Sequence, residues 1–288
     1  MDLIAVGDAM IDVRVDAGAL APGGDVHGRV LVQTGGSSAN AAVWAVHAGG
    51  TARVHGRVGG DLPGRLLAEA LRERGVEAAL TLDPDAPTGT MLVVHEAGER
   101  SMVADRGANA HLVADDLPAA LEARAVLVSG YLLLQEPTVA TAVAALERAS
   151  APIVAVDAAS WPLVEAFGRD RFFEVTARAN ALMANEREAA TLCGARGSDA
   201  ALALGERYRI AAVKQGDRGA SLAVDGRVLR RDAEATMEVD PTGAGDAFDG
   251  VLLLGLARGD DPEEALDRAC RAGAAVAASP GTWPDDGA

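Results

Sequence analysis

A three-layer α/β/α sandwich, with a mostly parallel central sheet between helices and a small β lid, is the fold class that this sequence predicts. Three observations carry that expectation. Strand-like and helix-like periodicities alternate along most of the 288 residues, and a βαβα order favours parallel strands joined by helical crossovers. Hydrophobic residues make up 49% of the chain and aromatic ones only 3%. The core is therefore built from Ala, Val and Leu, as suits a sheet buried on both faces. Two β-rich segments, about 10–33 and 90–104, break the alternation and are expected to form the lid of a single domain spanning 1–288.

In order along the chain, DLIAVGD reads as a strand and SSANAAVWAVHAGG as a helix ending in glycines. TARVHGRVGG is a strand, and DLPGRLLAEALRERG a helix closed by Gly75. TGTMLVVHEAGERSMVAD is hairpin-like. RAVLVSGYLLL and PIVAVDAA are buried strands flanking the helix TVATAVAALERAS. The strand ALMANE leads into the helix REAATLCG, and YRIAAVKQG into the hairpin ASLAVDGRVLRR. Two helices close the chain, AGDAFDGVLLLGLARG and PEEALDRACRAGAAVAAS.

Composition excludes several classes of function. A formal net charge of −16 without a long basic run argues against a nucleic-acid or anionic-membrane surface. Cys193 and Cys270 are the only cysteines, which fits a reducing cytosol rather than a disulfide framework. The N-terminus has no basic leader before its first strand, and no apolar run reaches the roughly 18 residues that span a bilayer, so a cytoplasmic location is expected. Lys214 is the sole lysine and is followed by Gln215, which rules out a GxxxxGK[ST] phosphate loop. A GxGxxG fingerprint starting at Gly243 and Gly245 fails at Phe248. The five histidines lack metal-ligand spacing, and no GxSxG elbow occurs.

The stretch VDPTGAGDAFDGVLLLGLARG, residues 239–259, stands out. Phe248, Val251, Leu252, Gly255 and Leu256 recur at helical spacing, which places the glycines at a helix N-terminus. A helix start offers unpaired amides and a partial positive charge of about half a unit, both suited to an anion. Glycine lets a phosphoryl group approach that backbone closely. Asp246 would repel the same phosphate, and makes chemical sense if it removes a proton from an attacking hydroxyl. A Gly-rich loop with an Asp near a helix start and no chemistry is the simpler alternative.

This stretch resembles the C-terminal signature of the PfkB/ribokinase-like carbohydrate kinases, and the resemblance extends from Gly7-Asp8 to Gly281. It implies a ribokinase-like fold and ATP-dependent phosphorylation of a hydroxyl, primary in the first reading, on a sugar or sugar-like molecule. Asp246 then matches the catalytic base, and Gly243, Ala244 and Gly245 match the amides that hold the transferring phosphoryl group. Gly35-Gly36-Ser37-Ser38-Ala39-Asn40 resembles a GGxxAN sugar-binding motif, with Asn40 on a substrate hydroxyl; a turn feeding a helix is the plain alternative. Asp8 and Asp12 match acidic residues that grip sugar hydroxyls, and two acceptor oxygens do suit a vicinal diol. Arg106 and Asn109 are placed as substrate contacts, with a solvated arginine as the alternative for Arg106.

The resemblance also assigns Asn185 and Glu188 to Mg²⁺ and its waters, although the same pair reads as a capping box. Lys214, Gly216 and Gly219, with Thr242, would line the nucleotide, although the glycines could equally be turn residues. Gly59 and Asp61 match a further pattern of structural role. A monovalent-cation site around Asp240 and residues 278–281 is left open. Where many relatives carry Asp-x-Asn-x-Arg, this chain has Asp157-Ala158-Ala159-Ser160-Trp161, which argues against a sugar-phosphate substrate. Exposed lid edges invite a homodimer. A nucleoside kinase of the same fold and a non-catalytic sugar sensor are the rival readings.

Overall fold

The computed structural model of the protein describes residues 1–96, 99–234 and 236–284. Residues 97 and 98 of the expected lid, and 285–288 of the expected domain, lie outside the described residues. The chain opens with β1 (Leu3–Val6), β2 (Met10–Ala17), β3 (Gly28–Gly35), α1 (Ser37–His47), β4 (Ala52–Gly59), α2 (Leu62–Glu73) and β5 (Glu77–Asp83). Next come β6 (Thr90–Glu96), β7 (Glu99–Asp105), β8 (Leu121–Glu122), β9 (Ala125–Ser129), α3 (Gly130–Leu133), α4 (Val139–Arg148), β10 (Ala149–Ser150) and β11 (Ile153–Asp157). They are followed by α5 (Trp161–Phe167), α6 (Arg169–Val175), β12 (Ala181–Asn185), α7 (Glu186–Cys193), α8 (Gly197–Gly205) and β13 (Ile210–Lys214). The last elements are β14 (Ala220–Val224), β15 (Arg227–Arg231), α9 (Ala244–Arg258) and α10 (Pro262–Ala277).

One sheet runs β15-β14-β13-β12-β11-β9-β1-β4-β5, and it is parallel from β13 to β5. Only β14 runs against the others, antiparallel to both of its neighbours, β13 and β15. Alternation within each strand sends side chains to opposite faces. Leu3 and Ala5 of β1 join a core with α1, α9 and α10, and Ile4 and Val6 join a second core with α4, α7 and α8. No helix among the described residues is long and apolar enough to cross a membrane.

A second sheet, β3-β2-β6-β7, gathers the two segments that broke the alternation. Its strands β2 and β6 are parallel, and its outer pairs are antiparallel. Because β2 follows β1 after only Gly7, Asp8 and Ala9, this sheet is tied to the carboxyl end of β1, the end at which open α/β sheets bind ligands.

Helix starts follow the local chemistry of the sequence. Asp61 caps α2 by accepting from Gly64 N at 3.0 Å, with Pro63 in the first turn. Asp261 caps α10 in the same way, accepting from Glu263 N at 2.8 Å. The long apolar run 124–134 is not a single strand. It turns at Ser129 into α3, because Gly130 packs where a Cβ would come within 2.3 Å of the Asp157 carbonyl oxygen.

Candidate active site

The parallel strands deliver polar residues to one end of the sheet. Asp8 follows β1, Asp157 ends β11, Asn185 ends β12 and Lys214 ends β13, with Asn185 and Lys214 in register as neighbours. Helix α9 begins above them: a Cβ on Gly245 would stand 3.4 Å from Lys214 Nζ.

The N-cap of α9 is Gly243, at φ 82°, a conformation that a side chain disfavours. No side chain caps the helix, and among the described residues the amides of Gly243 and Gly245 have no hydrogen-bond acceptor. Ala244 departs from its expected role, since its amide donates to the Pro241 carbonyl at 3.2 Å. Thr242 also turns inward: its hydroxyl donates to Asp240 Oδ1 at 2.6 Å, which shapes the loop.

Asp246 sits in the first turn of α9 and accepts a hydrogen bond from Asn40 Nδ2 at 2.8 Å. Burial pushes its pKa up to about 6, opposed by the hydrogen bond from Asn40. The Asn40 amide is clamped from the other end, because Trp283 Nε1 donates to its Oδ1 at 2.8 Å. Thr282 fixes that segment by accepting from Trp44 Nε1 at 2.9 Å. The C-terminal Thr282-Trp283 pair thus orients the amide of Asn40 toward Asp246.

Lys214, half-buried, turns its ammonium to carboxyl groups of the protein. Its ammonium donates to Asp157 Oδ2 at 2.8 Å and to both oxygens of Asp249, at 2.9 and 2.8 Å. Burial alone would lower its pKa, but the two carboxyl groups raise it. Burial also drives the Asp249 pKa well above the usual carboxylate range, while Lys214 holds Asp157 below it against the same burial. The ammonium thus binds both carboxyl groups beneath the helix start, with Asp157 the more acidic of the two.

On the acceptor side, Arg106 grips Asp8 with two bonds, Nε to Oδ2 at 3.2 Å and Nη2 to Oδ1 at 2.7 Å. Asn109 is consumed locally: it accepts from Ala9 N and donates to Ala9 O, both at 3.0 Å, and so fixes the backbone beside Asp8. Asp12 is buried, and desolvation, with repulsion from Asp246 and Asp240, pushes its pKa up to about 7. Gly35 makes room for it, since a Cβ there would lie 2.2 Å from Asp12 Oδ2. Gly36, at φ 97°, caps α1 where a Cβ would come within 2.5 Å of the Asp8 carbonyl oxygen.

A cleft of 550 Å³ opens beside the first turn of α9, lined by Lys214, Gly216, Gly219, Ala244, Gly245 and Phe248 with residues of α10. Gly216 and Gly219 are turn residues at the edge of this cleft. They line this cleft, and each holds a positive φ, 61° and 87°, in the turn after β13. A depression of similar size, 570 Å³, lined by Arg169, Phe173, Cys193 and Arg207, contains none of these groups.

Asn185 and Glu188 form the capping box of α7. Asn185 Oδ1 accepts from Glu188 N at 3.0 Å, and Glu188 Oε2 accepts from Asn185 N at 2.7 Å. Burial, then the charge of Asp157, pushes Glu188 up to about 7. Among the described residues no group of three or more His, Cys, Asp or Glu could hold a metal ion directly.

Asp249, Arg14, Tyr131 and Trp283 were not singled out by the sequence. Asp249 follows Asp246 by one helical turn toward the only lysine, a usable signal. Tyr131, just past β9, has its hydroxyl pKa raised by burial and by Asp246, Asp157 and Glu188, so it faces the same acidic cluster.

The family model for pfkB family carbohydrate kinases matches residues 1–285. A fructokinase from Klebsiella pneumoniae is 32% identical over 271 residues, covering 90% of this chain and 85% of its own length. A 2-dehydro-3-deoxygluconokinase from Thermoproteus tenax is 30% identical over 293 residues, covering 96% and 88%. Among solved structures, adenosine kinase from Sinorhizobium meliloti shares the fold with a TM-score of 0.86 at 23% identity, covering 98% of this chain and 95% of that one. With a family match over residues 1–285 and a relative 32% identical over 90% of its length, the chain belongs to the pfkB family of carbohydrate kinases.

Proposed function

We propose that this carbohydrate kinase moves the terminal phosphoryl group of ATP to a primary hydroxyl of a sugar or sugar-like acceptor, with Asp246 as general base. The observation that carries the proposal is the position of Asp246. Its half-buried carboxyl is held by Asn40 at 2.8 Å, one residue from the cleft-lining Gly245 and within electrostatic reach of Asp12. The acceptor oxygen gives its proton to Asp246 and bonds to phosphorus, while the bond from phosphorus to the bridging oxygen breaks and ADP departs. The uncapped amides of Gly243 and Gly245, with the α9 dipole, stabilise charge on the transferring group.

The oxygen donors of Asn185 and Glu188 suit Mg²⁺ held through water, as no direct metal cluster exists among the described residues. Bound with the nucleotide, Mg²⁺ supplies neutralisation of the phosphate oxygens. The cleft beside Phe248 is the place for the nucleoside of ATP. Asp12, buried and without an ion pair among the described residues, is the acidic contact for acceptor hydroxyls, with Asp8 preset by Arg106. The names of the similar proteins make fructose and 2-dehydro-3-deoxygluconate the first acceptors to try.

Thermal unfolding with a panel of sugars, sugar acids and nucleosides, plus Mg²⁺ and a nonhydrolysable ATP analogue, tests this reading. A true acceptor raises the midpoint as ln(1 + [L]/Kd). A panel in which nucleosides alone do so replaces the sugar with a nucleoside.

The pH profile carries its own expectation. Asp246 works as a base only when ionised, and its pKa is near 6. The sign follows: kcat/KM falls as pH drops through about 6, roughly tenfold per unit below it, and is level above. A profile that stays flat well below that point removes Asp246 as the base.

A further inference from the structure

The loop before α9 is built on an acid, and the structure gives that acid a resident cation. Arg14, in β2 of the small sheet, reaches across 226 positions of sequence to donate from Nη1 to Asp240 Oδ2 at 3.0 Å. The same Nη1 lies 3.4 Å from the Pro280 carbonyl oxygen, and Nε and Nη2 each bond Asp16 Oδ1 at 3.3 Å. Arg14 and Asp240 side chains are only 11% and 8% exposed, so this is a desolvated pair rather than a surface one. The Asp240 carboxylate in turn organises the phosphate loop: its Oδ1 accepts from Thr242 N at 2.9 Å and from the Thr242 hydroxyl. One residue later the chain enters the positive-φ turn at Gly243.

Asp240 and the 278–281 segment are the place where the family resemblance left a monovalent cation open. The residues present do not fit one. The small space lined by Asp12, Arg14, Asp240, Thr242, Pro280 and Gly281 has a volume of about 10 Å³, room for one water-sized group at most, and Arg14 already brings a positive charge to it. A guanidinium already occupies the place of a cation there, in contact with Asp240 Oδ2 and Pro280 O.

We propose that Arg14 is a positioning residue that serves as a built-in cation for the phosphate loop, replacing a bound alkali ion and tying the small sheet to the start of α9. The inference rests on the reading of residues 243–246 as the phosphoryl-transfer site. It makes the loop geometry independent of salt identity and dependent on the position of β2. His95 Nε2, 3.5 Å from the same Asp240 oxygen, is the second cationic group within reach if protonated.

The test compares the wild-type chain with Arg14→Gln and Arg14→Lys in chloride salts of K⁺, Na⁺ and tetramethylammonium at equal ionic strength. Two readouts are taken, ADP release with an acceptor and the thermal midpoint without substrates. Wild type is expected to show the same kcat and midpoint in all three salts. Arg14→Gln in tetramethylammonium is expected to lose on the order of 10²-fold in kcat with a smaller change in acceptor KM, as a displaced catalytic loop does. K⁺ should restore at least about tenfold of that rate and raise the midpoint of this variant alone, by linkage. Arg14→Lys, which keeps the charge, should stay closer to wild type than Arg14→Gln in tetramethylammonium.

A wild-type rate or midpoint that depends several-fold or several degrees on K⁺ overturns the proposal. So does an Arg14→Gln midpoint that is identical in all three salts. If Arg14→Gln does not fold, the wild-type salt series and Arg14→Lys still decide. A chain that consumes no ATP with any acceptor defeats the kinase chemistry and leaves the midpoint series to judge Arg14 by itself.

Discussion

Asp246→Asn is expected to lower kcat by about 10²- to 10⁴-fold, the range for loss of a general base, and to raise the thermal midpoint at neutral pH. The two effects have one cause. Burial raises the pKa of Asp246 to about 6, so between the unfolded value near 4 and the folded value the native state holds a proton that the unfolded chain releases. Stability from this group is therefore greatest at low pH and declines as pH rises through about 4 to 6. At neutral pH the carboxylate is ionised in the folded state at a cost on the order of 1–3 kcal/mol, which the neutral amide avoids. Asn at 246 also keeps a polar partner for Asn40. Glu188 and Asp12, both near 7, add strain of the same sign. A stable, inactive Asp246→Asn is the signature of a residue kept for chemistry, whereas an unstable one would place Asp246 in the framework.

Gly250→Val is expected to destabilise the fold by about 3 kcal/mol or more, read as a lower denaturant midpoint. A Cβ at 250 would lie 2.1 Å from the Ala41 carbonyl oxygen, a backbone atom that cannot rotate away, so α9 and α1 would have to separate. The site would move with them. Asn40 is adjacent to Ala41, and Asp246 lies one turn before Gly250, so the 2.8 Å contact between Asn40 and Asp246 spans the same seam. Any folded Gly250→Val protein should therefore lose turnover as well. A variant with an unchanged midpoint would show that α1 and α9 are not packed backbone to backbone.

Much of this arrangement was legible from local sequence. The alternation located most of the parallel strands, because each buried strand and its crossover helix carry their own period. Asn185 and Glu188 were read both as a cap and as a metal pair, and the reciprocal bonds of α7 bear out the cap. Strand β5 escaped notice because, at the edge of the sheet, its residues are mostly half-buried and carry weak alternation. Helices α5, α6 and α8 are short segments of seven to nine residues, too brief for a clear helical stripe.

The site shows the same division. Gly243 to Asp246 could be read because a helix start is a local feature. The partners that set its charge could not. Lys214 meets Asp249 across 35 positions, Trp283 meets Asn40 across 243, and Arg14 meets Asp240 across 226. Such pairs have no periodicity in the sequence and arise only when the strand ends, the small sheet and the C-terminal segment converge on one helix. Asn109 and Thr242 show the converse. Their residue types suit ligands, yet their polar groups are engaged in holding Ala9 and Asp240.

The central claim is that Asp246, at the uncapped start of α9, takes the proton of an acceptor hydroxyl as phosphoryl transfer occurs. Its most direct measurement is ADP release by wild type and Asp246→Asn, with fructose and 2-dehydro-3-deoxygluconate heading a panel of sugars, in the presence of Mg²⁺ and ATP. Acceptor-dependent ADP release by wild type, with a loss on the order of 10²-fold or more in Asp246→Asn, is the predicted result. Equal turnover by the two proteins on an acceptor that both phosphorylate would contradict it.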